Sequence, residues 1–167
     1  ISGVSGADAA ESGSQSVTIT ITENESAPTV TLATSATTIA ENSGSTLTLT
    51  ATISQAADED VTVNLGAAGT STNGTDYGSI SSITVSAGAT TGTATFDPTD
   101  DSVYEGSETA VISISSVSGA DAAESGSQSV TITITDNESA PTVTLAVSAT
   151  SIAENAGSSL TLTATLS

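Results

Sequence analysis

The chain has 167 residues, of which 19 are Asp or Glu and none is Lys, Arg or His, giving a formal charge of −19 and an isoelectric point near 4.1. That balance repels phosphate backbones and anionic lipid headgroups, which argues against nucleic acid or a membrane surface as a partner. Without imidazole, thiol, amine or guanidinium most catalytic constellations cannot be assembled, so no enzyme is expected.

Hydrophobic residues nevertheless make up 36% of the chain, mostly Val, Ile, Leu and Ala in alternating runs, so the charge does not imply disorder. In chain order the period-two runs are Val30 and Leu32; Leu47, Leu49, Ala51 and Ile53; Val61, Val63 and Leu65; Ile83 and Val85; Ala94 and Phe96; Ala110, Ile112 and Ile114; and Val130, Ile132 and Ile134. Thr and Ser fill most positions between them, and Gly, Asn, Asp and Ser clusters separate the runs. Such alternation puts one face of each strand on a core and the other in water. Seven strands in about 110 residues predict an all-β, immunoglobulin-like sandwich. With aromatics at only 2%, the core is small and aliphatic, and a further stabiliser is expected.

The chain also repeats itself: Ile1–Ser54 returns almost unchanged as Ile114–Ser167. The sandwich is therefore read as a tandem repeat. Residues 1–27 are the C-terminal part of a preceding unit, 28–140 a complete unit, and 141–167 the N-terminal part of the following one. The joints Ser26-Ala27-Pro28 and Ser139-Ala140-Pro141 are short and contain a proline that fixes φ, so neighbouring units of the same chain should nearly touch.

The acids gather at strand ends and in loops. Glu41 lies in Ile39-Ala40-Glu41-Asn42, Asp76 in Asn73-Gly74-Thr75-Asp76-Tyr77, and Asp100, Asp101, Glu105 and Glu108 in one loop; Asp136 and Glu138 end the last run. If those loops share one end of the sandwich, up to eight carboxylates converge with no basic residue to neutralise them. Several hard oxygen donors on irregular loops suit Ca²⁺ better than Mg²⁺ or Zn²⁺. Asp58, Glu59 and Asp60 read as a solvated face, and Tyr77 and Tyr104 as packing aromatics. Asp121 and Glu124, with their copies Asp8 and Glu11, are expected to point toward the same ligand end.

The pieces IAEN, NGTDYGSISSITVSAGATTGTATF, DDSVYEGSETAVISI and VTITITDNE, in this order, resemble the Calx-beta domain of sodium/calcium exchangers and of long bacterial surface proteins. The resemblance implies a seven-stranded sandwich with a Ca²⁺ cluster. Carried over singly, it implies Glu41, Asp76, Asp100, Asp101, Glu105, Glu108, Asp136 and Glu138 as ligands. The closing acidic triplet is here Asp136-Asn137-Glu138, so its middle carboxylate is missing. The functional expectation drawn from repetition is a calcium-stabilised tandem array, extracellular or on the cell surface, forming the stalk of a microbial adhesin or a surface filament, with other copies as further partners in the filament. The alternatives are a calcium-sensing regulatory module, or an adhesive domain with its own glycan or protein ligand.

Overall fold

The structure, a computed structural model, describes residues 2–22 and 24–167. In chain order its strands are β1 (Thr29–Thr34), β2 (Thr38–Ala40), β3 (Leu47–Ile53), β4 (Val61–Gly69), β5 (Ser82–Val85), β6 (Thr91–Phe96), β7 (Glu108–Ser118), β8 (Ala123–Glu124), β9 (Ser129–Thr135), β10 (Val143–Val147) and β11 (Leu162–Leu166). Two sheets, ordered β6-β3-β1-β8 and β2-β9-β7-β4-β5, face each other as the sandwich, while β10 and β11 pair only with one another.

β1 and β2 are one strand broken between the sheets. β1 runs antiparallel to β3 with Leu32 opposite Ala51, whereas β2 runs parallel to β9 with Ile39 opposite Ile134. Counted that way the principal strands are the seven that the alternation predicts, and the two-residue β8 is an addition beside the start of β1. The break matters for function because it carries the residues after β2 to the end of β9.

Alternation decides the core. Along β3, Leu47, Leu49, Ala51 and Ile53 are buried between Thr residues that face outward, and β1 and β4 repeat the pattern with Val30, Leu32, Val61 and Val63. Each fully buried aliphatic side chain of this size contributes about 1.5–3 kcal/mol. Tyr77 and Phe96 are the largest fully buried side chains, stacked with ring centroids 4.6 Å apart. Leu65 departs from its predicted inward place: a bulge between Asn64 and Leu65 shifts the β4–β7 register and leaves that side chain half-buried.

The sandwich has two unlike ends. Loops 41–46, 70–81 and 97–107 and the end of β9 lie at one; the segment 24–28 and loops 54–60 and 119–128 lie at the other. The placement of Asp121 and Glu124 at the ligand end is therefore wrong. Their loop sits against the start of β1, where the Ala123 N–H donates to Pro28 O at 3.0 Å and the Ala120 N–H donates to Glu59 Oε1. The reason is strand direction: β7 ends, and β9 begins, beside the start of β1.

Residues 141–167 keep part of the repeated register, with Val143 opposite Leu166 as Val30 is opposite Ile53. The described residues of 2–22 form no strand, and Ile19 is 82% exposed whereas its copy Ile132 in β9 is 0% exposed.

Candidate metal centre

Four segments bring acids to the end of the sandwich opposite segment 24–28. The break after β1 delivers Glu41 into a single 3-10 turn, Glu41–Ser43, closed by Gly44 in the left-handed region at φ 60°; the Glu41 side chain is buried. The 70–81 loop is folded by its own polar groups. Asn73 clasps Ile80 twice, donating from Nδ2 to Ile80 O at 2.9 Å and accepting the Ile80 N–H on Oδ1 at 3.0 Å. Within that bracket Asp76 Oδ2 accepts the Thr72 N–H at 2.6 Å, and Tyr77, buried on Phe96, anchors the segment in the core.

The acidic loop is tied to the last strand by Asp136. Its Oδ2 accepts the backbone N–H groups of Glu105 at 2.6 Å and Gly106 at 2.5 Å, and its Oδ1 accepts that of Glu138 at 2.6 Å. Across the site the Asn137 N–H donates to Glu41 Oε1 at 3.2 Å. Backbone amides thus orient the carboxylates, while the remaining oxygens are left to face each other.

Six of the eight acids implied as ligands fall into two groups. Carboxylate oxygens of Glu41, Asp100 and Glu138 lie within 4.8 Å of one another, and so do those of Asp76, Glu105 and Glu108. Asp101 and Asp136 belong to neither. Asp101 Oδ1 accepts the Val103 N–H at 2.6 Å in a local turn, and Asp136 is occupied by its three amides. Nothing in the sequence separates Asp136 from the other acids, because its distinction is the arrival of a loop about thirty residues away. Asp58, Glu59 and Asp60 lie at the opposite end and are exposed, as expected of a solvated face.

The electrostatics record crowding. Glu138 is pushed up to about 7, first by the approach of the Glu41 carboxyl, then by burial and by Asp136. Burial and the charges of Asp76, Asp101, Glu41 and Asp136 raise Glu105, and burial with a hydrogen bond to Asp76 raises Glu108. Asp136 moves the other way: burial opposes its ionisation, but the amides of Gly106, Glu138 and Glu105 outweigh that and hold it below the usual aspartate range. Glu138 Oε2 is buried with no donor against it. A site of hard oxygens that retains protons and leaves a buried carboxylate oxygen without a donor fits a hard divalent cation.

A family model described as the Calx-beta domain matches residues 23–138. Among solved structures, the chain is similar to the apo form of the Calx CBD1 domain at 18% identity and a TM-score of 0.53, covering 65% of this chain and 98% of that one. It is also similar to CBD12 from CALX1.2, at 20% identity and a TM-score of 0.50, over 60% of this chain and 40% of that one. The calcium binding domain CBD12 of CALX1.1 matches at 20% identity and a TM-score of 0.49, over 60% and 42%. No curated protein matches the chain.

The expectation of a microbial adhesin stalk or surface filament, and with it the extracellular placement, is corrected: the solved structures of similar fold are the Calx CBD1 domain and CBD12 from CALX1.2. The expectation rested on near-identical repeats and a one-signed charge. Both constrain geometry and solubility, and neither specifies a compartment or a role.

Proposed function

Since the chain belongs to the Calx-beta family, we propose that it works as a calcium-sensing regulatory module, whose loop end takes up calcium and conveys the bound state to a neighbouring unit. Calcium is its cofactor, and the module is not an enzyme. Tandem placement of such units in one chain supplies the neighbour.

The observation that carries the reading is the pairing of two three-carboxylate groups with no basic residue anywhere in the sequence. Glu41, Asp100 and Glu138 hold one ion, and Asp76, Glu105 and Glu108 hold a second. The charge of Asp101 bears on Glu105 of the second group, and Asp136 fixes the loop that supplies Asp100 and Glu105. Ca²⁺ tolerates this irregular set because it accepts six to eight oxygens at about 2.3–2.6 Å, whereas Mg²⁺ requires a tighter octahedron.

Calorimetric titration of the metal-free chain tests the assignment. Ca²⁺ should bind with release of protons, and Mg²⁺ should bind more weakly. The paired change Glu41→Gln and Asp100→Asn should remove one of the calcium steps. No heat of binding at millimolar Ca²⁺ would rule the module out as a calcium sensor.

A further inference from the structure

Six asparagines lie in the sequence, and only Asn73 is followed by glycine. At such a pair the asparagine side chain is open to attack by its own backbone, because the next residue has no Cβ to hinder the approach of its nitrogen to Cγ. Gly74 is not free to become a bulkier residue. Its φ is 85°, in the left-handed region, and a Cβ there would meet Ser79 Oγ at 2.8 Å. The loop that carries Asp76 is thus built on a chemically reactive pair.

In the folded loop every atom that would react is already engaged. Asn73 Nδ2, the leaving group, donates to Ile80 O at 2.9 Å, and Oδ1 accepts the Ile80 N–H at 3.0 Å. The Gly74 N–H, the nucleophile, donates to Tyr77 O at 2.9 Å. Tyr77 and Ile80 are both buried, so breaking these three bonds requires segment 73–80 to lift from the core. Asn73 itself is exposed, and water reaches it directly.

We propose that Asn73-Gly74 is a deamidation site gated by the opening of this loop, and that its conversion disables the group formed by Asp76, Glu105 and Glu108. In the open loop the Gly74 nitrogen bonds to Asn73 Cγ, the Cγ–Nδ2 bond breaks, and the Gly74 proton leaves with Nδ2 as ammonia. Water then opens the succinimide ring at either carbonyl, giving aspartate or isoaspartate. Neither product refits the bracket. Aspartate sets a carboxylate oxygen where Nδ2 faced Ile80 O, which leaves two acceptors without a proton between them. Isoaspartate adds a carbon to the main chain inside the turn that Gly74 and Tyr77 close. Each also brings one more negative charge to the end that already gathers the acids. The inference rests on the calcium reading, because an ion held by Asp76 keeps the loop shut and slows the conversion.

Timed incubation of the full chain at mildly alkaline pH tests the site, in Ca²⁺, in EGTA and in guanidinium chloride, with fragmentation mass spectrometry reading amide and acid at each asparagine. Conversion at Asn73 should run at least tenfold faster in guanidinium chloride than in Ca²⁺, with the EGTA sample between them. In the denatured chain it should also outrun the other five asparagines. Equal rates in Ca²⁺ and in denaturant, or a faster asparagine elsewhere in the denatured chain, would overturn the site. Calorimetry on the same chain keeps the two readings apart. Calcium binding together with equal rates in Ca²⁺ and EGTA overturns the calcium gate and spares the sensor, whereas no calcium binding overturns the sensor and leaves the comparison of EGTA with denaturant to decide the site. Asn73→Asp should lose one calcium step, and the aged chain, separated from the parent by its extra charge, gives the same reading without a variant. Unchanged calcium steps in both would overturn the disabling.

Discussion

Asp136 Oδ2 accepts the Gly106 N–H at 2.5 Å, a contact across 30 residues that fastens the acidic loop to the end of β9. Because the same carboxylate also holds Glu105 and Glu138, it shapes both three-acid groups while belonging to neither. Asp136→Ala should therefore weaken calcium binding by about 10- to 100-fold, the usual cost of losing a group that orients metal ligands. Asp136→Asn keeps one acceptor oxygen and should fall between the two. Calorimetry reads all three, and an unchanged affinity in Asp136→Ala would show that the loop needs no such fastening.

The calcium-free chain should lose stability as pH rises. Glu138 titrates near 4.5 when unfolded and about 7 when folded, so between those values the native state binds the extra proton and each rise in pH favours unfolding. Glu105 and Glu108 shift in the same direction and add to the slope. Asp136 has the opposite sign: its contribution is present above 3.8 and is lost as pH falls through its lowered folded value. Thermal melts in EGTA from pH 4.5 to 8 should show the decline, and Ca²⁺ should flatten it by replacing the protons. Calcium affinity should rise over the same window.

Tyr77 is fully buried, and its hydroxyl has no hydrogen-bond partner. A buried polar group without a partner costs about 1–3 kcal/mol. Tyr77→Phe keeps the stack on Phe96 and should raise the melting temperature. Tyr77→Ala removes the ring stacked on Phe96, leaves a cavity in the core and should cost about 3–5 kcal/mol. A Tyr77→Phe variant less stable than the parent would mean that the hydroxyl is satisfied in solution.

Gly119 and its copy Gly6 have nearly the same backbone, at φ 96° and 94°. A Cβ on Gly119 would meet Asp60 O at 2.2 Å, whereas one on Gly6 meets nothing within 4 Å. Gly119→Ala should lower stability by at least about 2 kcal/mol, through left-handed strain plus the clash. Gly6→Ala should leave the main unfolding transition in place. Chemical denaturation of the two variants compares one substitution in one sequence context and two tertiary environments.

The two copies also divide what the sequence determines from what the fold decides. The turn at Gly119-Ala120-Asp121 recurs at Gly6-Ala7-Asp8 with the same left-handed angles and the same closing hydrogen bond, from Ala122 N–H to Gly119 O and from Ala9 N–H to Gly6 O. It forms with or without neighbours because its bonds close within four residues. The alternation of β3 and β9, the charge, and the candidate ligands Glu41, Asp76 and Glu138 are equally local facts, and they were legible as a calcium-binding sandwich. The segment SVTITIT behaves otherwise: at 129–135 it is β9, and at 16–22 it is not a strand, because a strand's backbone bonds and apolar face need partners supplied from elsewhere. The same dependence on remote segments placed Asp121 at the end opposite the acids, separated Asp136 from the two three-acid groups, and left Tyr104 facing solvent. Residue type and spacing state what a side chain can do, and only the meeting of distant strands decides what stands opposite it.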